Sequence, residues 1–295
     1  MPEMPGIERP QVLGFRTLRD VDAMLAQSGP VVVLGGGLIG VEAAAALRLR
    51  GRDVTLLHHR PWLLDRQLDQ QAGELLTQHL TQRGIHCRLE VSIAAIHRAH
   101  VTLTDGTLLT AQQVVMAVGV LPEKALAHSA GVPCQRGILV NRQLQTQVAD
   151  VYALGECCEI DGETFGLVAP CLAQAEVLAA QLAGEPLADF HYQEGGTRLK
   201  VTGIEMFSAG DIREGDSITS FDPIAGHYSC LFLRNGALRS VLLFGDSQAA
   251  GTLLTHLKQA KRVDINALLV LDNLLTQPCA VGRKLISKSL LALVS

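Results

Sequence analysis

The chain has 295 residues, 48% of them hydrophobic and only 4% aromatic, and a formal net charge of −4 at pH 7. That length is ample for more than one domain, at roughly 100–200 residues each, and the core has to be built from Leu, Val, Ile and Ala, which suits α/β layering. The mild negative charge, with no run of Lys and Arg and no aromatics set among basic residues, argues against nucleic acid as the main partner.

Residues 1–16 carry three prolines and read as an extended entry segment. Thr17-Leu18-Arg19-Asp20 has capping-box spacing with Asp in place of Glu or Gln, so a helix is expected from 17 to about Gln27, stopped by Gly29-Pro30. Val31-Val32-Val33-Leu34 reads as a short buried strand, Val41 to Arg50 as an Ala-rich helix ended by Gly51, and Val54-Thr55-Leu56-Leu57 as the next strand. Gln67 to Arg83 has a helical apolar face of Leu68, Leu75, Leu76 and Leu80, and Gly84 closes it.

Short strands are expected at Ile85–Leu89, Ser92–Arg98, His100–Leu103 and Gln113–Val118, with Asp105-Gly106 as a hairpin turn. Leu121 to Pro133 is irregular with a short helix. Gly137–Val140 and Asp150–Gly155 are strand-like, and Ala169 to Leu182 is a helix. Gly184-Glu185-Pro186 and Glu194-Gly195-Gly196 bracket a linker. Strands follow at Arg198–Ile204, Tyr228–Arg234 and Leu238–Phe244, with an Asn235-Gly236 hairpin turn, and helices close the chain from Gln248. Lys258, Lys261 and Arg262 read as a solvated helix face.

Cys87, Cys134, Cys157, Cys158, Cys171, Cys230 and Cys279 are odd in number and form no C-x-x-C pair, which points to buried thiols in a reducing, cytoplasmic setting and to no metal site. The sequence offers neither a basic-then-apolar leader at its start nor a run of about 20 apolar residues.

The chemistry concentrates at Gly35-Gly36-Gly37-Leu38-Ile39-Gly40. A strand precedes this turn, a helix follows, and a second strand comes within about 30 residues, the context a dinucleotide-binding G-x-G-x-x-G requires. Gly35 permits the tight turn, Gly37 lets backbone approach a pyrophosphate, and Gly40 lets helix and strand pack closely. The second strand runs into His58-His59-Arg60, with no acid to read the adenosine ribose, which leans toward NADP or dual use.

At Gly35–Glu42 the pattern extends to G-x-G-x-x-G-x-E and resembles the pyridine nucleotide–disulfide oxidoreductase family, the FAD/NAD(P)-binding flavoproteins. Val115-Met116-Ala117-Val118-Gly119 is similar to the family's return from the NAD to the FAD domain. Thr146 with Val151-Tyr152-Ala153-Leu154-Gly155-Glu156-Cys157 is similar to its second FAD motif. Phe15–Asp20, Arg66-Gln67-Leu68-Asp69, Gly166-Leu167-Val168-Ala169-Pro170, and Lys200–Gly203 through Phe207–Gly210 also resemble the flavin region of NAD(P)H-nitrite reductase large subunits.

The resemblance implies an α/β fold: a Rossmann-like NAD(P)-binding domain (29–118) inserted in an incomplete FAD-binding domain (1–28 and 119–190). A small α+β C-terminal domain (191–260) and a helical tail (261–295) follow. It implies that Gly35, Gly36, Gly37, Leu38, Ile39 and Gly40 hold NAD(P)H, with His58, His59 and Arg60 at its edge and Glu42 near the nicotinamide. It also implies that Gly155, Glu156, Val168, Ala169 and Pro170 line FAD, and that Val118 and Gly119, on the return to the FAD domain, bind cofactor. Glu156 stands where the family usually has Asp, and keeps the acceptor.

The family opens with an FAD-binding β-α-β unit bearing its own glycine turn, and the 34 residues before Gly35 contain no such turn. Cys279 is the one cysteine after Cys230, too few for an iron–sulfur cluster, which usually takes four thiolates. The expectation is thus a chain cut at both ends relative to the family, unable to reduce nitrite by itself. Two readings stand: an oxidoreductase module passing hydride from NAD(P)H to flavin and electrons to a separate acceptor, or an NAD(P)-binding remnant with little autonomous redox activity. A homodimer through the C-terminal domain is compatible with either.

Overall fold

The computed structural model describes residues 4–185, 189–192, 195–199, 201, 203–210 and 216–259. A two-residue strand, β1 (Val12–Leu13), leads into α1 (Leu18–Leu25). Thr17 caps α1 as its spacing announces: its hydroxyl accepts the Asp20 N–H, and the Asp20 carboxylate accepts the Thr17 N–H at 2.8 Å. Gly29, at φ +87°, then turns the chain into β2 (Val31–Leu34).

β2 is buried on both faces, as a central parallel strand must be. It is followed by α2 (Leu38–Leu49), β3 (Val54–Leu57), α3 (Gln70–Gln82) and β4 (Ile85–Arg88). With β8 (Gln113–Met116) these strands form a five-stranded parallel sheet in the order β1-β8-β2-β3-β4. The register sets Leu34 level with Leu57 and Met116, so β2, β3 and β8 end together. Chain leaves that shared edge from three strands, and the order reverses about β2. Ligands of open α/β sheets bind at such an edge.

One face of the sheet carries α2 and α3. The other packs Val32, Leu34, Leu57, Val114 and Met116 against the antiparallel sheet of β5 (Ile93–Ile96), β6 (His100–Leu103) and β7 (Leu108–Thr110). Asp105-Gly106 makes the β6–β7 turn, with Gly106 at φ +85°. The segment 1–28, expected to be set apart from the nucleotide domain, joins it instead where described. β1 pairs in parallel with β8, and Met24 lies in the core beneath β2.

Two helices start where sequence periodicity did not put them. α2 begins at Leu38 rather than Val41, because Gly37 already has the extended backbone of an N-cap. α3 begins at Gln70 rather than Gln67, because Asp69 caps it by accepting the Ala72 N–H at 2.9 Å. Leu68 is buried all the same, from the turn before the helix.

Residues 119–195 form a separate compact unit. It holds α4 (Ala125–Ser129), β9 (Ile138–Val140), β10 (Cys158–Ile160), β11 (Glu163–Thr164) and α5 (Val168–Ala183), with β10 between its two partners. The expected strand at Asp150–Gly155 is a correction: only Tyr152 forms a bridge, to Gln145, and the strand runs three residues further on. Asp150 and Gly155, at φ +61° and +89°, bend both ends of that stretch out of the extended region.

The C-terminal described residues belong with residues 2–118 in the other unit. Here β12 (Thr197–Arg198), β13 (Met206–Gly210), β14 (Asp216–Asp222), β15 (His227–Arg234) and β16 (Ala237–Phe244) form an antiparallel sheet backed by α6 (Ala250–Gln259). Asn235 and Gly236, both at positive φ, make the β15–β16 hairpin. The strand expected over Arg198–Ile204 is another correction. Gly203, at φ +72°, closes a turn in which the Ile204 N–H donates to Val201, and the long strand starts at Met206.

The other face of this sheet shares a core with the nucleotide domain, running from Val33 and Leu56 through Leu76 and Leu80 to Tyr228 and Phe244. Lys200, Thr202, Lys261, Arg262, Cys279 and the helical tail expected at 261–295 lie outside the described residues. Among the described residues, no helix is long and apolar enough to cross a membrane.

Candidate functional site

Each residue of the glycine turn has a separate reason to lack a side chain. Gly35 has φ +113°, and a Cβ there would lie 2.3 Å from the Ala117 carbonyl oxygen at the end of β8. A Cβ on Gly36 would strike Leu63 and the ring of His58, at 2.5 and 2.7 Å. On Gly40 it would sit 1.7 Å from the Gly35 carbonyl oxygen, so the close approach of α2 to the turn depends on that glycine. Gly37 differs: nothing lies within 4 Å of where its Cβ would be. Its missing side chain is required by no neighbour in the protein, which leaves open space directly over the start of α2.

That start is an anion site in waiting. No side chain caps α2, and no acid stands in its first turn. Its first N–H groups and its positive dipole end are therefore available to a phosphate. Leu38 is half-buried and Ile39 exposed at the same end. Glu42 is half-buried one turn along. These features fit a dinucleotide pyrophosphate on physical grounds.

His58 follows β3 and is buried. Its Nδ1 accepts the Gly36 N–H at 3.1 Å, which leaves the ring proton on Nε2. Nε2–H then donates to Asp65 Oδ1 at 3.2 Å. The Gly36 carbonyl in turn accepts the Leu64 N–H at 2.8 Å. The middle glycine is thus clamped from both sides by the loop after β3. His59 and Arg60 are exposed, and Arg60 Nε stands 3.9 Å from Asp65 Oδ2.

Burial holds the imidazole of His58 below its ordinary value of 6.5, against the opposing pull of Asp65. The folded protein favours neutral His58, so above about pH 6.5 this group costs nothing. As the pH falls below 6.5 the unfolded chain takes up the proton more readily, and stability drops toward the lowered folded value. Between pH 8 and 5, melting temperatures of the native protein should therefore fall more steeply than those of His58→Asn, whose amide oxygen can still accept from Gly36. Parallel curves would show that His58 is not held neutral.

The 119–195 unit has its own candidate cluster. Gly155, at φ +89°, donates its N–H to Gln174 Oε1 at 2.6 Å, and Gln174 is fully buried on α5. This fixes the Gly155-Glu156 bend against the helix, with Glu156 half-buried. α5 begins at Val168 with no side-chain cap. Val168 and Ala169 are exposed there, and Pro170, in the first turn, is buried. An uncapped N-terminus beside a fixed carboxylate-bearing bend fits the flavin end of FAD. The sequence holds a single G-x-G-x-x-G, at Gly35–Gly40, so an adenine-end turn is not among its residues. Val118 and Gly119 are both exposed where the chain leaves the parallel sheet.

The nearby thiols are quiet. Burial pushes Cys158 up to about 12 and raises Cys157, and both donate to backbone carbonyls, Gly155 and Leu154. Three positioning groups escaped the sequence reading: Asp65, Gln174, and Glu159, a buried carboxylate that accepts the Gly137 N–H at 2.9 Å. For Glu159 the signal was present, an acid in an apolar strand, whereas Gln174 shares its helix with Glu176 and Gln181 and only its burial sets it apart. For Asp65 there was none, since it reaches the site from a loop.

The family model for pyridine nucleotide-disulphide oxidoreductases matches residues 1–177, and that for the rubredoxin NAD+ reductase C-terminal domain matches residues 196–261. Nitrite reductase (NAD(P)H) of Bacillus subtilis is 39% identical over 89% of the chain, which covers 34% of that relative. The assimilatory nitrate reductase electron transfer subunit of the same organism is 38% identical over 89% of the chain, covering 35% of the relative. The chain thus spans about a third of the length of these curated relatives. The ferredoxin reductase for the CYP199A2 system from Rhodopseudomonas palustris superposes with a TM-score of 0.78 at 24% identity, over 90% of this chain and 70% of that one, and so shares the fold.

Proposed function

The chain belongs to the pyridine nucleotide-disulphide oxidoreductase family, and from that premise we propose that it is an NAD(P)H-dependent flavin oxidoreductase module that hands electrons to a separate acceptor protein or domain. Its cofactors are NAD(P)H and FAD. The observation that carries the reading is the open space over Gly37 at an uncapped helix start, next to a middle glycine that His58 has already taken out of play. In this reading residues 29–118 bind the nicotinamide dinucleotide, 119–190 hold the flavin end of FAD, and 191–260 form the accessory domain.

Bound together, the two cofactors supply hydride transfer from nicotinamide to flavin. The protein binds and orients. The α2 N–H groups take the pyrophosphate, and Gly35 and Gly40 keep turn and helix close enough for backbone contact. Glu42, half-buried on α2, would stand near the nicotinamide. Gln174 holds the Gly155-Glu156 bend so that the Glu156 carboxylate can accept from the ribityl hydroxyls. The open end of α5 presents a positive dipole to the flavin edge, where negative charge develops on reduction. A reducing, cytoplasmic setting belongs to the same reading, since the six described cysteines are all unpaired.

The test is spectroscopic. The purified chain, supplied with FAD, should turn yellow and bleach anaerobically on adding NADH or NADPH. A protein that stays colourless with FAD, yet titrates with nicotinamide dinucleotide, would overturn the module reading and leave a dinucleotide-binding unit.

A further inference from the structure

In a Rossmann unit the group that reads the adenosine ribose sits at the tip of the second strand, about 20 residues past the glycine turn, and it is an Asp or Glu when the ribose carries a free 2′-hydroxyl. Here that position is His58. Its ring cannot do the job, because both nitrogens are committed: Nδ1 to the Gly36 N–H and Nε2–H to Asp65. The carboxylate at the strand tip comes instead from Asp65, seven residues later, brought back by the buried Leu63-Leu64 turn whose Leu64 N–H donates to Gly36.

Asp65 keeps 27% of its side chain exposed. Its Oδ1 takes the His58 proton and its Oδ2 faces Arg60 at 3.9 Å. Arg60, 60% exposed, is a cation at this tip that a 2′-phosphate could use, and it already stands beside a carboxylate; the exposed Arg88 that ends β4 level with Leu57 is followed by the exposed Glu90. The pair sums to no net charge, and His58 adds none in its neutral form. A phosphate arriving here would gain little from Arg60 and would be repelled by Asp65. A ribose diol would instead find an acceptor of fixed orientation.

We propose that Asp65, held by His58 at the tip of β3, is the residue that selects the dinucleotide with a free 2′-hydroxyl, making this an NADH rather than an NADPH site. The inference rests on the proposed function, since it presumes that the Gly35–Gly40 turn binds a nicotinamide dinucleotide. It reverses the lean toward NADP that His58-His59-Arg60 suggests in one dimension.

Binding, not turnover, tests it. Isothermal titration of the full chain with NADH and with NADPH, and with the fragments 5′-AMP and 2′,5′-ADP, reads the selectivity without flavin. The native protein should bind NADH at least tenfold more tightly than NADPH. Asp65→Asn keeps an oxygen for the His58 proton but loses the charge, and should cut that ratio at least tenfold, chiefly by tightening NADPH. Arg60→Ala removes the cation beside the Asp65 carboxylate and should widen the native ratio further, by weakening NADPH. Native affinity for NADPH equal to or above that for NADH, or an Asp65→Asn effect equal on both, overturns the assignment while leaving the dinucleotide site intact. Binding of neither nucleotide to the native chain would instead overturn the proposed function itself.

Discussion

Gly37→Asp should abolish nicotinamide dinucleotide binding while leaving the protein as stable as before or slightly more so. Gly37 has φ −78° and ψ −178°, an extended backbone any residue adopts, and its absent Cβ would meet no atom within 4 Å. It is also the N-cap of α2, where Asp ranks above Gly by a few tenths of a kcal/mol. The same carboxylate would occupy the helix start in place of the pyrophosphate and repel its two charges. A fall in affinity of about 100-fold or more is expected.

Gly40→Ala should do the reverse kind of damage. Its Cβ would lie 1.7 Å from the Gly35 carbonyl oxygen and 3.3 Å from the Ala117 side chain, and backbone cannot step aside. The helix must move off the strand, at a cost of about 3 kcal/mol. Urea melts and calorimetric titration of both variants separate the two roles. If Gly37→Asp binds dinucleotide normally, the open space above it is ordinary solvent and the site lies elsewhere. If Gly40→Ala melts like the native chain, the close helix–strand approach is not what holds the turn.

Those opposite roles were legible in the sequence as glycine positions, because turn, approach and packing each demand the same residue type at fixed offsets. The parallel strands were legible too: Val31–Leu34 and Gln113–Met116 are buried on both faces and read as apolar runs. What periodicity could not give is direction through space. His58-His59-Arg60 looked like a tip without an acid because Asp65 lies beyond a buried Leu63-Leu64 turn, with Leu64 at φ +53°. β13 is hard to see in the sequence because Ser208, Ala209 and Gly210 carry little β-forming character of their own, and its place is fixed by pairing with β16 from Met206↔Phe244 onward. The strand expected at Asp150–Gly155 failed for the opposite reason. Its residues favour a strand, yet only the Gln145–Tyr152 bridge pairs it among the described residues.

The motif Arg66-Gln67-Leu68-Asp69 carried a resemblance without a mechanism, and the structure supplies one that can be measured. Asp69 uses both carboxylate oxygens. Oδ1 accepts the Ala72 N–H at 2.9 Å and caps α3, while Oδ2 accepts the Tyr228 hydroxyl at 2.5 Å and ties the C-terminal sheet to that helix start. Burial and the neighbouring Cys230 and Asp69 push the Tyr228 phenol well above its ordinary value, so it stays a donor at any working pH. Asp69→Ala therefore removes a cap worth about 1 kcal/mol and a hydrogen bond to a charged acceptor worth about 1.5–3 kcal/mol, for a loss near 3 kcal/mol. Tyr228→Phe should lose only the second part. Because both single variants break the same bond, the double variant should cost less than their sum, by about 1.5 kcal/mol in a double-mutant cycle. Strict additivity would mean that the two residues touch without holding, and that the C-terminal sheet is kept on the nucleotide domain by the shared apolar core of Leu76, Leu80 and Phe244 and by the Arg83 hydrogen bond to the Gly203 carbonyl.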